Sequence, residues 1–286
     1  MPESKALVLV RGGGDLASGV ILRLHRAGLN VVVSELPQPL AVRRTVSFAE
    51  AVYEGSQSVE GITARLVESG GIKSVLEAGQ IPVVVDPDVE VLTQLPFLIV
   101  VDGRLTKQPP VPLPVQIPLH IGLGPGFRAG ENCDAVIETR RSHTLGRVYW
   151  QGPAQADSGQ PEGDPRRVLR APADGIFTAH KKIGEHCDIC DLIGEVATGN
   201  EDRKVKIESP LSGVLRGIIH DGRFVTEGLK IGDVDPRDDP SACFLVSDKA
   251  LAIGGGVLDA VLSRADIRNK LWAPSAPPSV TTPPNP

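Results

Sequence analysis

Near the N-terminus a short apolar strand, Leu7 to Val10, runs into Arg11-Gly12-Gly13-Gly14-Asp15-Leu16-Ala17, then an amphipathic stretch, a second apolar strand and an acid, Glu35. This order matches a phosphate-receiving turn. Gly12 and Gly14 let the main chain turn tightly and approach an anion, Ala17 lets helix and strand pack closely, and the amides of Gly12, Gly13, Gly14 and Asp15 at a helix start can receive a phosphate. Glu35 follows Ala17 by eighteen residues, where a carboxylate would accept a hydrogen bond from a ribose hydroxyl. The competing reading is a glycine turn that only turns. Arg43 and Arg44 stand just ahead of Ser47-Phe48-Ala49-Glu50, whose Ser-x-x-Glu spacing predicts a capping-box helix start. They can hold the remaining negative charge of a ligand or sit solvated on a loop. The densest polar run is Ile137 to Arg147, where Arg140 and Arg141 can fork onto carboxylate or phosphate and His143 can move a proton near neutral pH. A surface loop is the alternative. His143 is the candidate catalytic residue, but no nucleophile stands beside a base, so whether the chain is an enzyme stays open.

The elements that must position these residues read as α/β through the first half. A helix over 71–79 closed by Gly79 and strands at Pro82 to Val85 and Phe97 to Val101 continue the pattern, the strands ending at Asp86 and Asp102. Either aspartate can face a crevice at the carboxyl end of a parallel sheet or cap the next loop. Gly122-Leu123-Gly124-Pro125-Gly126 is a second glycine cluster, but its proline and the missing Lys-Ser/Thr exclude a Walker-type P-loop. The expected fold is a Rossmann-like domain over 1–150 joined by a linker at 151–165 to a second domain.

That second domain carries an internal repeat at a spacing of 38 residues: Pro172, Gly175 and Ile176 recur as Pro210, Gly213 and Val214, and Gly194-Glu195-Val196 as Gly232-Asp233-Val234. Two copies, each too small to bury a face alone, would close on one another. The segment 166–236 resembles a biotinyl/lipoyl-like hammerhead. Lys204 is six residues before Pro210 and lacks the neighbours of a modified lysine, so no covalent biotin or lipoate is expected. In His186-Cys187-Asp188-Ile189-Cys190, the repeat aligns Cys187 with Val225 and Cys190 with Gly228, a core slot and a turn slot, so no metal site is expected. Residues 237–272 read as a helical segment with a glycine interruption and 273–286 as a disordered Pro/Ser/Thr tail.

Composition narrows the function classes. The 286 residues are 41% hydrophobic but only 3% aromatic, so the cores must be built from aliphatic side chains. A formal charge of −5, without a basic run, argues against a nucleic-acid partner. No apolar run of about eighteen residues is evident, so neither a membrane span nor a leader is expected, and the protein is expected to be cytoplasmic.

Taken together, the runs Arg11 to Gly19, Arg43 to Val52, Gly124-Pro125-Gly126-Phe127, Val136 to Arg141, Arg167 to Pro172 and Gly228 to Arg237 resemble the YqeB family over about residues 5 to 265. These are accessory proteins of selenium-dependent molybdenum hydroxylase systems. The resemblance implies a role in maturing a molybdenum cofactor or inserting it into a xanthine-dehydrogenase-like enzyme, with that hydroxylase or other maturation factors as partners. It brings no catalytic residues with it. The expected ligand is a nucleotide or a molybdopterin-type cofactor bound through its phosphate. Cys187 and Cys190 depart from the family pattern, as does Ser142 before His143. The alternatives are an NAD-dependent oxidoreductase resembling tetrapyrrole dehydrogenases, for which Glu35 would favour NAD over NADP, and a non-catalytic docking module for a molybdenum hydroxylase.

Overall fold

The computed structural model describes residues 6–156, 163–199 and 203–271. Part of the expected linker and the expected tail at 273–286 lie outside them.

The first half is built on one sheet. Its strands are β1 (Leu7–Arg11), β2 (Asn30–Glu35), β3 (Ser56–Val59), β4 (Ile62–Leu66), β5 (Ile81–Val85), β6 (Phe97–Asp102), β7 (Leu119–Leu123), β9 (Ala135–Ile137) and β10 (Val148–Tyr149), in the order β10-β9-β7-β6-β1-β2-β5-β4-β3. Two short strands, β8 (Arg128–Ala129) and β11 (Gly152–Pro153), pair separately. The central strands are aliphatic runs because both faces are covered. One face carries α1 (Asp15–Arg26) and α5 (Asp248–Ser263), and the other carries α3 (Ile72–Glu77) and α4 (Val91–Gln94). Glycines bring α1 and α5 unusually close: a Cβ on Gly19 would lie 2.4 Å from the Ala250 carbonyl oxygen. The stretch Pro240–Ser263 could cross a membrane by length and composition, yet Ala250, Ile253, Val257, Ala260 and Val261 are buried in the core beside α1.

The second half consists of two four-stranded antiparallel sheets. With β12 (Val168–Arg170), β13 (Gly175–Ala179), β14 (His186–Cys187), β15 (Leu192–Ala197), β16 (Lys204–Glu208), β17 (Gly213–Ile218), β18 (Phe224–Val225) and β19 (Lys230–Asp235), the orders are β12-β19-β17-β14 and β16-β15-β13-β18. Each sheet mixes strands of both repeats around a core that includes Phe177, Ile193, Leu215 and Val234.

The expected fold class, a Rossmann-like domain plus a biotinyl/lipoyl-like hammerhead, is corrected by this topology. The first half is a large mixed sheet with antiparallel pairs at both edges, β3/β4 and β9/β10. After β2 the chain does not cross over through a long helix, because residues 44–54 hold no long apolar period. It forms two 3-10 turns and the four-residue α2 (Ala51–Glu54), then a tight hairpin whose turn residues Glu60 (φ 46°) and Gly61 (φ 81°) are both left-handed. The Ser47 to Glu50 capping box does not form: the Ser47 hydroxyl donates to the Arg43 carbonyl. The covering helix beside α1 arrives instead from beyond the second half. Nor is the two-sheet half a free-standing module: Arg44 Nε donates to the Ile218 carbonyl at 2.8 Å, and a Cβ on Gly217 would strike the Val42 carbonyl oxygen.

Candidate functional site

The glycine run splits in two. Gly12, at φ 85°, makes the turn, and Gly13 is then fully engaged by the protein itself. Its N–H donates to Glu35 Oε2 at 2.6 Å, and its carbonyl accepts from Ala49 N at 2.9 Å and Ser18 Oγ at 3.0 Å. The other Glu35 oxygen accepts from Leu36 N at 2.8 Å. Burial pushes the Glu35 carboxyl above its ordinary value, against the two amide hydrogen bonds that favour the anion. This corner is closed, and the acid placed for a ribose is turned inward onto the loop.

Gly14 faces the other way. It is the N-cap of α1, with an extended backbone and no side-chain cap, so the first amides of the helix have no capping partner of that kind. Asp15 and Leu16, next in line, form one wall of a cleft of about 1050 Å3. The opposite walls come from distant segments. Leu105 and Lys107 follow β6; Thr139, Arg140 and Arg141 follow β9; Arg167, Arg216, Lys230 and Asp233 come from the two-sheet half; Ser247, Asp248 and Lys249 open α5. With Arg43 and Arg237, nine cationic side chains and three carboxylates line the cleft. The first turns of two helices, of 12 and 16 residues, add partial positive charge of the same sign.

Buried carboxylates hold these cations in place. Asp233, 1% exposed, accepts from Arg167 at 3.0 Å and from Arg216, with Lys230 at 4.0 Å. The Lys230 ammonium is drawn below its ordinary value, first by lost hydration and then by the charges of Arg167 and Arg216, with Asp233 opposing. Arg237 sits on Asp235 at 2.9 Å and holds that carboxyl down to about 2. At the mouth, Arg141 grips Asp248 with two bonds of 2.6 and 2.8 Å, lowering the Asp248 carboxyl. Glu138, completely buried, orders the strap that presents Arg140 by accepting from the amides of Arg140 at 2.8 Å and Gln155 at 2.9 Å.

Of the residues expected from sequence, Asp15, Arg43, Arg140 and Arg141 meet in this cleft. Arg43 is a clamp there, nearly buried, donating to the Ala242 and Leu245 carbonyls at 3.0 and 2.9 Å with Asp15 at 3.4 Å. Gly12, Gly13 and Glu35 lie in the closed corner. Arg44 faces Glu50 at 2.7 Å, and exposed His143 is not among the lining residues. Asp86 caps α4 through the amides of Glu90 and Val91, and Asp102 is buried between Arg11 and Arg104. Lys107, Arg167, Arg216, Lys230 and Lys249 are not singled out by the sequence as site residues, because they lie in separate segments that only folding brings together. The only local signal was Ser247-Asp248 at a helix start, where Ser247 Oγ accepts from Ala250 N.

No protein-family model matches the chain. It is 45% identical over 266 residues to a protein of Escherichia coli (strain K12) named uncharacterized protein YqeB, covering 91% of this chain and 48% of that one. The chain thus spans about half the length of that relative. Among solved structures, an aspartoacylase family protein from Mesorhizobium loti is 9% identical with a TM-score of 0.26, covering 82% of this chain and 85% of that one. A succinylglutamate desuccinylase/aspartoacylase from Rhodobacter sphaeroides is 11% identical with a TM-score of 0.29, covering 82% and 86%. At scores this low nothing about this chain's activity follows.

Proposed function

We propose that this relative of YqeB is a cytoplasmic accessory protein that holds a phosphorylated ligand, a nucleotide or a phosphorylated pterin, in the cationic cleft. In this reading it presents the ligand to a xanthine-dehydrogenase-like molybdenum hydroxylase during cofactor maturation. One observation carries the ligand class: two helix starts and cations from seven separate stretches of chain converge on one open volume. Charge-assisted donors arranged around a cavity suit an anion with several oxygens, such as a di- or triphosphate. The hydroxylase connection rests on the family resemblance. An oxidoreductase reading is less well supported, since Glu35 is already bound by Gly13 and Leu36.

Titration calorimetry of the full chain with GTP and, in parallel, with neopterin triphosphate tests the ligand class. Saturable binding that weakens with added salt and in Arg140→Ala is the expected result. No heat from either compound at low ionic strength would remove the proposal. Co-purification of a molybdenum hydroxylase with the tagged full chain, lost when a phosphorylated ligand is withheld, tests the partner.

A further inference from the structure

We propose that Glu50, Glu54 and His220 form a divalent transition-metal site at the seam between the mixed sheet and the two-sheet half, away from the cationic cleft. Glu50 ends a 3-10 turn that runs into α2, so Glu50 and Glu54, four residues apart, share a face. His220 comes from the turn after β17 and faces them across the seam. One ligand atom of each residue lies within 4.8 Å of the others. His220 Nε2 is 3.8 Å from Glu50 Oε1 and 3.6 Å from Glu54 Oε1. These gaps are too long for hydrogen bonds. They are close to the roughly 3.4 Å that separates two ligand atoms of a tetrahedral zinc with bonds of about 2.0–2.1 Å.

Two further features point to a cation. His220 Nδ1 is 3.2 Å from the Asp221 carbonyl oxygen, which can only accept. The neutral ring therefore carries its proton on Nδ1 and turns the Nε2 lone pair toward the carboxylates, the arrangement of a metal-ligating histidine. Tyr53 stacks on the ring at 4.2 Å and holds its plane. Glu50 is only 5% exposed, and while its Oε1 accepts from Arg44, its Oε2 has no hydrogen-bond partner among the described residues. A buried carboxylate oxygen without a partner is costly, and a cation held by both oxygens of Glu50 would satisfy it. One imidazole nitrogen and two carboxylates suit zinc or manganese. Glu54, 60% exposed, leaves the outer side open to water as a further ligand.

The full chain, stripped with a chelator and dialysed, is titrated with zinc, and its cobalt(II) form is examined by visible absorption. The expected result is one equivalent of zinc lost, or bound at least about tenfold more weakly, in both His220→Ala and Glu54→Gln. Glu54 is exposed, so Glu54→Gln keeps the test valid if the histidine variant fails to fold. Binding unchanged in Glu54→Gln, or a cobalt spectrum whose only signal is sulfur-to-metal charge transfer from Cys187 or Cys190, would overturn the proposal. So would a wild-type chain that takes up no zinc, which would leave His220 as an ion-pair partner of the two glutamates.

Discussion

A Cβ added to Gly13 would stand 2.8 Å from the Ala49 amide nitrogen and 3.3 Å from the Ala49 Cα, whereas one added to Gly14 would meet nothing within 4 Å. The two residues are neighbours in one glycine run, yet one is walled in by backbone from 36 residues further on and the other has open space beside it and immediately precedes Asp15, which lines the cleft. Glycine supplies close approach in both cases. What approaches is decided elsewhere in the chain: Phe48 and Ala49 close one side, and the two-sheet half with α5 frames the other. The most direct way to break this comparison is to fill each side. Gly13→Val must push rigid backbone and should destabilise the fold by on the order of 3 kcal/mol, while Gly14→Ser, at an N-cap with an extended backbone, should change stability by only a few tenths. Urea midpoints that fall equally in the two variants would contradict the closed corner.

How much of this was legible follows from which contacts are local. The strand, glycine turn, amphipathic helix, second strand and acid are all set by residues within thirty positions of one another, and the structure has β1, α1 and β2 in that order. The helix at Ile72–Glu77 is likewise local, closed by Gly79 at φ 71°. The nature of the sheet was not legible. The hairpin at Glu60-Gly61 has a turn type that Asn or Asp, rather than Glu, ordinarily signals, and α5 reaches α1 across more than two hundred residues. The cleft was legible only at Asp15, Arg43, Arg140 and Arg141. Its other cations converge only after folding, so no spacing in the chain announces them.

The open side can be tested through the carboxylates that anchor its charges. Asp235, 4% exposed, has its carboxyl lowered from 3.8 to about 2 by Arg237, with burial opposing. A lowered folded value means that the unfolded chain takes up its proton first on acidification. The stabilisation is therefore fully present above pH 4 and is lost as the pH falls toward 2. Asp235→Asn should cost roughly 2 kcal/mol near neutrality, with the gap to wild type narrowing between pH 4 and pH 2. A gap independent of pH in urea titrations would mean that Asp235 matters through packing and not through charge.

The ligand itself gives a smaller but more specific contrast. Arg140, exposed on the strap held by Glu138, should lose about tenfold in affinity for a phosphorylated ligand when replaced by Ala, or about 1.4 kcal/mol. Arg44→Ala should leave that affinity unchanged, since Arg44 points at Glu50 and Ile218. Equal losses in a salt-matched calorimetric titration would reduce the cleft to a diffuse positive field.

The two-sheet half sharpens the comparison from the opposite direction, with two positions where local geometry decides and no distant wall intervenes. Cys190, at φ 70°, and Gly228, at φ 80°, are 38 residues apart in the repeat. Each donates its N–H at 2.9 Å to the matching carbonyl of the other copy, Cys190 to Ser209 and Gly228 to Ala171. The exposed cysteine thus holds a backbone slot that its counterpart fills with glycine, at a strain of about 1–2 kcal/mol for an L-residue. Cys190→Gly relieves that strain but adds freedom to the unfolded chain, which offsets about 0.4–1 kcal/mol of it. The net expectation is a gain of about 0.5 kcal/mol, with Gly228→Cys losing a similar amount. If chemical denaturation shows Cys190→Gly to be destabilising instead, the thiol has a partner that the turn geometry does not reveal, and the two slots are not equivalent.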